Sequence, residues 1–559
     1  MRNFLDYFKE QKVSPRPLQT KVLEDVQNAW DSHTNFVIDA PTGVGKTHIA
    51  LAIASAVSKA YVLTSTLSLQ NQYESTYDEV VNLKGRSNYN CGIQPMFSVD
   101  MAQCSVTPAI VSTCNQKKIC PYYNQRDKAI QSQVMITNPA YLLNSIHAGW
   151  ASPSAFETPG QWRDMCFRDV LIIDEAHKLE EHLVSFATVD VSIPDIQKNN
   201  NVDLLGFKFV GSYERDYDTL KKIYDKLMNK MQELIGRKDQ LFREFGLDSS
   251  SAKDIPPAMM AKYAPLRKEI NALDEILRPI NVYYTCHKDI ADSRKNWVLD
   301  VPKDSTTNIK VAPLFASIIF NKFLKQMAAK FVFMSATIGN SLEFCKEIGL
   351  DPKDSYCIAV PTPFPAEKSP VIFAPAINLT AKFYKQNVEK VGKIIDVFLN
   401  QNANVKGIIH ATTYDIVYHI VRGVSPQNRK RLLHRDMIGG KNNNEHLIRM
   451  HTESKQPTVL LSPSMMEGVD LYGDLSRFQI MMKLPCGYLG DARIRTKANL
   501  QPSWYTNDMW MKLMQASGRS TRSMEDSSIT YVIDETFKTH YNTHKNGLPE
   551  WFTERVVMK

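Results

Sequence analysis

The sequence predicts an α/β protein built on parallel sheets, and three observations predict it. The chain has 559 residues, too many for one hydrophobic core, which implies three or four domains. Hydrophobic residues make up 43% and charged residues 23%, a globular balance that excludes wholesale disorder. Short apolar runs, each followed by a loop and a helix-like stretch, read as buried parallel strands. They are Phe36–Asp39, Ala60–Ser65, Val170–Asp174, Phe331–Ser335, Gly407–His410, Val459–Ser462 and Phe478–Lys483. Strands alternating with helices place sites at the strands' C-terminal ends.

Charge and cysteine usage narrow the setting. Lys and Arg total 67 against 59 Asp and Glu, a net charge of +8 that permits a polyanionic partner without demanding one. No apolar run approaches the roughly 20 residues that span a bilayer. The opening MRNFLDYFKEQKVSPRPLQ lacks the basic-then-apolar layout of a signal peptide. The expectation is a soluble cytoplasmic protein with no membrane partner. Disulfides are not expected there, so the nine cysteines are core filler, metal ligands or nucleophiles.

One stretch breaks the alternation. Leu220, Ile223, Leu227, Met231, Leu234, Leu241 and Phe245 recur at spacings of three and four among charged residues. After a Ser/Pro-bearing break at 249–257, Leu266, Ile270, Leu273, Leu277 and Ile280 repeat the pattern. This predicts a long helical hairpin, inserted as a unit.

The first chemical motif follows the strand ending at Asp39. Ala40-Pro41-Thr42-Gly43-Val44-Gly45-Lys46-Thr47 leads into the helix-like His48–Ser58. Glycines let backbone N–H groups wrap phosphates, and the helix N-terminus adds a favourable dipole. Lys46 is placed for the β/γ-phosphates and Thr47 for Mg²⁺, with Pro41, Thr42, Gly43, Val44 and Gly45 as the cradle. The usual first glycine of this pattern is Ala40 here. About 130 residues later an apolar strand ends in Asp174-Glu175-Ala176-His177. Asp174 can hold the metal while Glu175 orients or deprotonates the attacking water. Together the two sites predict ATP hydrolysis.

Further segments follow in order: Arg16-Pro17-Leu18-Gln19 near the start, Ser335-Ala336-Thr337-Ile338 after a strand, then Met466-Glu467-Gly468-Val469-Asp470. Gln515-Ala516-Ser517-Gly518-Arg519-Ser520-Thr521-Arg522 is expected on a helix. This order resembles the motif series of superfamily-2 helicases, which pair two motor lobes around ATP. By that resemblance Arg519 and Arg522 reach the γ-phosphoryl from the far lobe, Gln515 senses the phosphate or water, and Gln19, with Arg16, reads adenine. Asp470 joins the nucleotide set.

Four cysteines, Cys91, Cys104, Cys114 and Cys120, fall within 30 residues with spacing C-x₁₂-C-x₉-C-x₅-C. Zinc sites favour paired C-x₂₋₄-C knuckles, which are absent, and four thiolates also suit a [4Fe–4S] cluster. Spacing alone leaves zinc and iron–sulfur comparable, with four unrelated buried thiols behind them. The surrounding words, Lys84-Gly85-Arg86-Ser87-Asn88-Tyr89-Asn90-Cys91 and Cys120-Pro121-Tyr122-Tyr123, resemble the cluster segment of XPD/DinG-type helicases. Lys483-Leu484-Pro485, Leu489-Gly490-Asp491 and the stretch Trp510–Asp534 are similar to the DinG side of that family.

The resemblance covers roughly 15 to 535. It implies two RecA-like motor domains, the first from 1–84, 138–190 and 311–365 and the second from 366–559. It also implies an iron–sulfur insert at 85–137 and a helical arch at 191–310. The implied activity is ATP-driven translocation on single-stranded DNA with 5′→3′ unwinding of forked or 5′-tailed duplex, by a monomer. Tyr61 to Thr66, with Thr64, Ser65 and Thr66 foremost, and Leu69-Gln70 would face the strand. The same motor motifs would serve a protein that hydrolyses ATP to clamp or remodel nucleic acid without processive unwinding.

Overall fold

A computed structural model describes residues 2–93, 95, 97–102, 120–148, 166–247, 256–437, 444–463, 471–521, 523 and 525–558. Five strands open the first lobe: β1 (Asn35–Asp39), β2 (Ala60–Leu63), β3 (Val80–Asn82), β4 (Val134–Thr137) and β5 (Arg168–Asp174). A separate antiparallel sheet of β6 (Val189–Ser192), β7 (Trp297–Asp300) and β8 (Asn308–Pro313) follows. Then β9 (Ala328–Ser335) and β10 (Ser355–Ala359) return to complete the first sheet, in the order β10-β1-β9-β5-β2-β4-β3. The second lobe holds β11 (Val371–Ile377), β12 (Gly407–His410), β13 (Leu432–Leu433), β14 (Val459–Ser462), β15 (Phe478–Met481), β16 (Ile529–Asp534) and β17 (Val556–Met558). Their order is β13-β14-β12-β15-β16-β11-β17. Both seven-stranded sheets are parallel throughout.

The central strands are apolar on both faces because both faces are covered. In the first sheet Val37, Leu63, Leu171, Ile173 and Phe333 pack into one core, and Phe36, Ile38, Val62, Ile172 and Val332 into the other. Each such side chain contributes roughly 1.5–3 kcal/mol on burial. The helices that matter below are α1 (Pro17–Ala29), α2 (Lys46–Ser55), α3 (Leu67–Thr76), α4 (Pro121–Gln131), α5 (Leu179–Ala187), α6 (Tyr213–Glu244), α7 (Pro257–Thr285), α8 (Ser341–Ile348), α9 (Tyr414–Gly423), α10 (Ala492–Leu500) and α11 (Pro502–Ser517).

The helical hairpin is α6 and α7. Leu220, Ile223, Leu227 and Leu234 share a core with Leu266, Ile270, Leu273, Leu277 and Ile280, the two stripes that periodicity marks. Arg267 donates to the Asp100 carbonyl at 2.8 Å and Arg278 to Asn144 Oδ1 at 3.2 Å, so α7 leans on the cysteine insert and on the first lobe. One boundary moves. The first sheet takes in Val134–Thr137 as β4, between β2 and β3, so the insert ends before Val134 and not at 137. The strand lies between β2 and β3 and pairs with both, so it belongs to the first lobe's sheet. Among the described residues no helix is long and apolar enough to cross a membrane.

Candidate nucleotide-binding site

Register brings three motif-bearing segments together. Asp39 pairs with Ser335, and Asp174 with Met334, so β1, β9 and β5 end side by side. The phosphate loop, the Ser335–Ile338 segment and the Asp174–His177 segment therefore leave one edge of the sheet as neighbours. The Ala40 N–H donates to the Ser335 carbonyl at 2.8 Å, tying the loop to β9.

Within the loop, Gly43 and Gly45 have φ of +87° and +90°, the left-handed region that a side chain resists. Space forbids one as well: a Cβ on Gly43 would strike Phe364, and one on Gly45 would strike Gln19. Gln19 is 3% exposed and both ends of its amide are engaged. Oε1 accepts from the Arg16 N–H at 2.8 Å and Nε2 donates to the Gly45 carbonyl at 3.2 Å. The Arg16 guanidinium donates to the Gly43 carbonyl. Arg16 and Gln19 thus brace the loop from α1, and any contact of Gln19 with a base would exchange those bonds. Lys46, first residue of α2, reaches back to the Ala40 carbonyl at 3.3 Å.

The acidic pair is held from a side the motifs do not show. Tyr73, fully buried on α3, donates to Asp174 Oδ2 at 2.9 Å and also reaches the Thr47 hydroxyl. One phenol thus spans the two residues expected to hold Mg²⁺. Burial and then the Glu175 charge push the Asp174 carboxyl up. Burial works the same way on Glu175, but the His177 hydrogen bond and Lys46 outweigh it and hold that carboxyl down. The buried Asp174 carboxylate and the Thr47 hydroxyl, both reached by the same phenol, are hard oxygen donors of the kind a divalent cation takes. The residues fit Mg²⁺.

Glu175 sits at φ 57°, a strained backbone for a residue with a side chain, as reacting groups often are. His177 Nδ1 lies 2.8 Å from Ser335 Oγ and 3.3 Å from Glu175 Oε2, joining the acidic segment to β9. Asp39, at the end of β1, is pushed up to about 7 by burial, partly offset by the Ile338 N–H, Lys46 and the Gly339 N–H. It therefore links the loop to the segment after Ser335.

The second-lobe residues are placed in part. Gln515 lies on α11, but the helix ends at Ser517, so Arg519 stands beyond it and not on it as expected. Ser517 Oγ turns back to the Met514 carbonyl at 2.9 Å and the poor helix former Gly518 follows, which stops the helix. Arg519 lies near the buried His410 at the end of β12. Burial, and secondarily Arg519, hold that imidazole down to about 4 and so neutral. Asp470 and Arg522 lie outside the described residues, as do Cys104 and Cys114. Of the quartet, Cys91 is half-buried and Cys120 is the buried N-cap of α4.

The expected strand contacts need correction. Tyr61, Thr64 and Gln70 are buried, at 2%, 0% and 0% exposure. Tyr61 lies under the Arg168 guanidinium, 4.6 Å from its ring centroid, and Gln70 faces inward from α3. Ser65 and Thr66 remain at the surface, Thr66 also accepting the Leu69 N–H at 3.2 Å as the cap of α3. Tyr73 carried no signal in the sequence; it becomes visible only when α3 folds over the end of β5.

Comparison with known proteins agrees with this layout. A model described as "Type III restriction enzyme, res subunit" matches residues 12–207, and one described as "Helicase C-terminal domain" matches residues 399–555. The protein named ATP-dependent DNA helicase YoaA in Haemophilus influenzae is 20% identical, covering 98% of this chain and 95% of its own length. Its namesake in Escherichia coli is 21% identical over 93% of this chain and 91% of its own. Among solved structures, an XPD helicase superposes with a TM-score of 0.62 at 14% identity, covering 98% of this chain and all of its own. Xpd4 of S. tokodaii does so with 0.55 at 14%, covering 97% and 100%. At such identity the likeness to the solved structures speaks for the fold.

Proposed function

Its two parallel-sheet lobes and its motif order make this chain an XPD/DinG-type superfamily-2 protein, and from that premise we propose that it is an ATP-dependent DNA helicase. The observation that carries the proposal is the convergence of Lys46, Thr47, Asp174 and Glu175 at the ends of β1 and β5, which flank β9, with Tyr73 bridging Thr47 and Asp174. The N–H groups of the loop from Thr42 to Thr47 would wrap the phosphates, and Lys46 would neutralise charge on the β/γ oxygens. Thr47 and Asp174 would hold Mg²⁺, which draws charge off the phosphate oxygens when bound. Glu175, held ionised, would orient the attacking water and take its proton. Arg519, with Arg522 and Gln515, would complete the γ-phosphoryl site from the second lobe, and Asp470 would join the nucleotide contacts. A guanidinium that arrives only on closure couples hydrolysis to lobe position. The bond from His177 to Ser335 gives the acidic segment a contact on β9 through which that state could be felt.

The finer reading is translocation along single-stranded DNA, with 5′→3′ unwinding of tailed or forked duplex by a monomer. Ser65 and Thr66 are the surface hydroxyls at the end of β2 available to backbone phosphates. Cys91, Cys104, Cys114 and Cys120 would hold a [4Fe–4S] cluster that cross-links the insert into one rigid body; two of the four, Cys91 and Cys120, flank the segment that carries the others. The test is strand displacement from duplexes carrying a 5′ tail or a 3′ tail, with ATP. Separation of the 5′-tailed duplex alone is expected. ATP hydrolysis stimulated by DNA with neither duplex opened would leave a clamp or remodeller instead. Anaerobically purified protein should absorb broadly near 400 nm and carry about four irons; one zinc and no iron would overturn the cluster.

A further inference from the structure

A second cluster lies between the lobes, outside the nucleotide residues. The hairpin of α10 and α11 belongs to the second lobe by chain order, yet its first half sits on the first. Glu180, on α5, accepts from both helices at once. Its Oε1 receives Lys497 Nζ at 2.7 Å and Arg493 Nη2 at 2.8 Å, and its Oε2 receives Trp504 Nε1 at 2.9 Å. Lys497 is fully buried, its ammonium 3.9 Å from the Trp504 ring centroid, and it also pairs with Glu347 on α8. Arg493 Nε donates to the Pro313 carbonyl at 2.8 Å, and Lys310 pairs with Asp491 at 2.8 Å. Next along α11, Ser503 donates to Glu343 at 3.0 Å, and Asn507 Oδ1 accepts the Asn340 N–H at 2.8 Å. A Cβ on Gly339 would strike Asn507.

From Met509 onward α11 changes allegiance. Met509, Trp510, Leu513, Met514 and Ala516 are buried in a core with Val371, Phe373 and Met481 of the second sheet. One helix is therefore seated on the first lobe at its start and embedded in the second at its end, about 15 Å further on. Arg519 follows immediately.

We propose that the α10–α11 hairpin is a strap permanently seated on the first lobe, and that Glu180 is the positioning residue whose grip on it sets where Arg519 stands. The proposal rests on the ATPase reading for its catalytic consequence, but its geometry does not. Two acids, Glu180 and Glu347, face two cations, Lys497 and Arg493, so the buried charges balance. Separating the strap from its seat would break at once the bonds of Glu180 to Lys497, Arg493 and Trp504, the Lys497–Glu347 pair and the Arg493–Pro313 bond, and would wet the buried Trp504 face. On this proposal, any movement between the lobes takes place beyond Asn507 while the seat stays shut. The Asn340–Asn507 contact lets the segment after Ser335, which touches the phosphate loop, bear directly on the helix that leads to Arg519.

The test is a mutant cycle in the full chain. Glu180→Gln keeps the shape of the seat and removes its charge; Asn507→Ala removes one contact of a half-exposed residue and serves where the first variant folds poorly. Each should lower kcat for ATP roughly tenfold or less while KM moves less than about twofold. In an Arg519→Ala background each should cost nothing further, because residues acting through one group are not additive. An equal loss in both backgrounds, no loss, or a change confined to KM would overturn the assignment. A second measurement needs no hydrolysis: label distances from α5 to α10 and from α5 to α9, without nucleotide and with a non-hydrolysable ATP analogue. The first distance should stay fixed while the second changes; movement of both together removes the strap. A parent whose hydrolysis does not depend on Lys46 would sink the ATPase reading alone, and the label distances would still decide the strap.

Discussion

The nucleotide face and the strap seat grow from the same strand ends, yet they are written in the sequence in opposite ways. β5 delivers Asp174 and Glu175 to one and, five residues on, Glu180 to the other. β9 delivers Ser335 to the first and then Asn340 and Glu347 to the second. The nucleotide face uses contiguous words because a phosphate must be met by successive N–H groups in fixed backbone geometry. The seat uses single side chains spread from 180 to 507, since an ion cluster constrains only where charged tips meet. The pattern of the first is a local necessity; that of the second is a product of the whole fold.

If the two regions differ in this way, their variants should fail differently. The largest effect belongs to Glu175→Gln. Losing the group that organises water should cut hydrolysis by about 10²-fold or more while ATP still binds. The measurement is single-turnover hydrolysis beside equilibrium binding; weak binding would instead place Glu175 in metal coordination. Its unfolding midpoint should shift little. Lys497→Ala, in contrast, leaves Glu347 buried without its partner, and should cost about 3–5 kcal/mol in urea unfolding of the first lobe. Adding Glu347→Gln to Lys497→Met, which keeps the packing on Trp504, should recover most of that loss. A single Lys497→Ala as stable as the parent would erase the contrast.

Two smaller effects sharpen it within the nucleotide face. Tyr73→Phe removes one hydrogen bond to Asp174, about 1 kcal/mol, and should weaken Mg²⁺-dependent hydrolysis roughly fivefold without abolishing it. Titration of the magnesium requirement reads this directly. Asp39 gives the pH term. Its folded pKa is raised by burial to about 7 from 3.8, so its contribution to stability is full below about pH 4 and is lost as pH rises toward 7. The loss is on the order of 1 kcal/mol per pH unit at most. Asp39→Asn should flatten the stability profile across that window; an unchanged profile would show that Asp39 does not titrate there.

The contrast also explains what could be read in advance. All seven apolar runs became strands, because parallel strands covered on both faces are continuous in hydrophobicity. The helical hairpin of α6 and α7 was equally legible, since a two-helix stripe repeats. The other ten strands among the described residues were not: β10 and β17 are part-exposed edges, β11 and β16 alternate buried with part-exposed residues, β3, β4 and β13 are only two to four residues long, and β6, β7 and β8 form a separate antiparallel sheet. At the site, Lys46, Thr47, Asp174 and Glu175 meet as their motifs require. Tyr73 was hidden because a tyrosine on an amphipathic helix looks like core until the carboxylate beneath it is known. Thr64 and Gln70 went the other way: the family resemblance set them facing the strand, but their places at a strand end and on the inner face of α3 bury them.

The central claim is that ATP is hydrolysed at the loop around Lys46 and that DNA controls the rate. Steady-state hydrolysis of the parent and of Lys46→Ala, each with and without single-stranded DNA, tests it most directly. The account predicts a parent rate raised several-fold by DNA, and a variant at least about 10²-fold slower in both conditions that still binds the strand. A Lys46→Ala variant hydrolysing ATP at the parent's rate would contradict it.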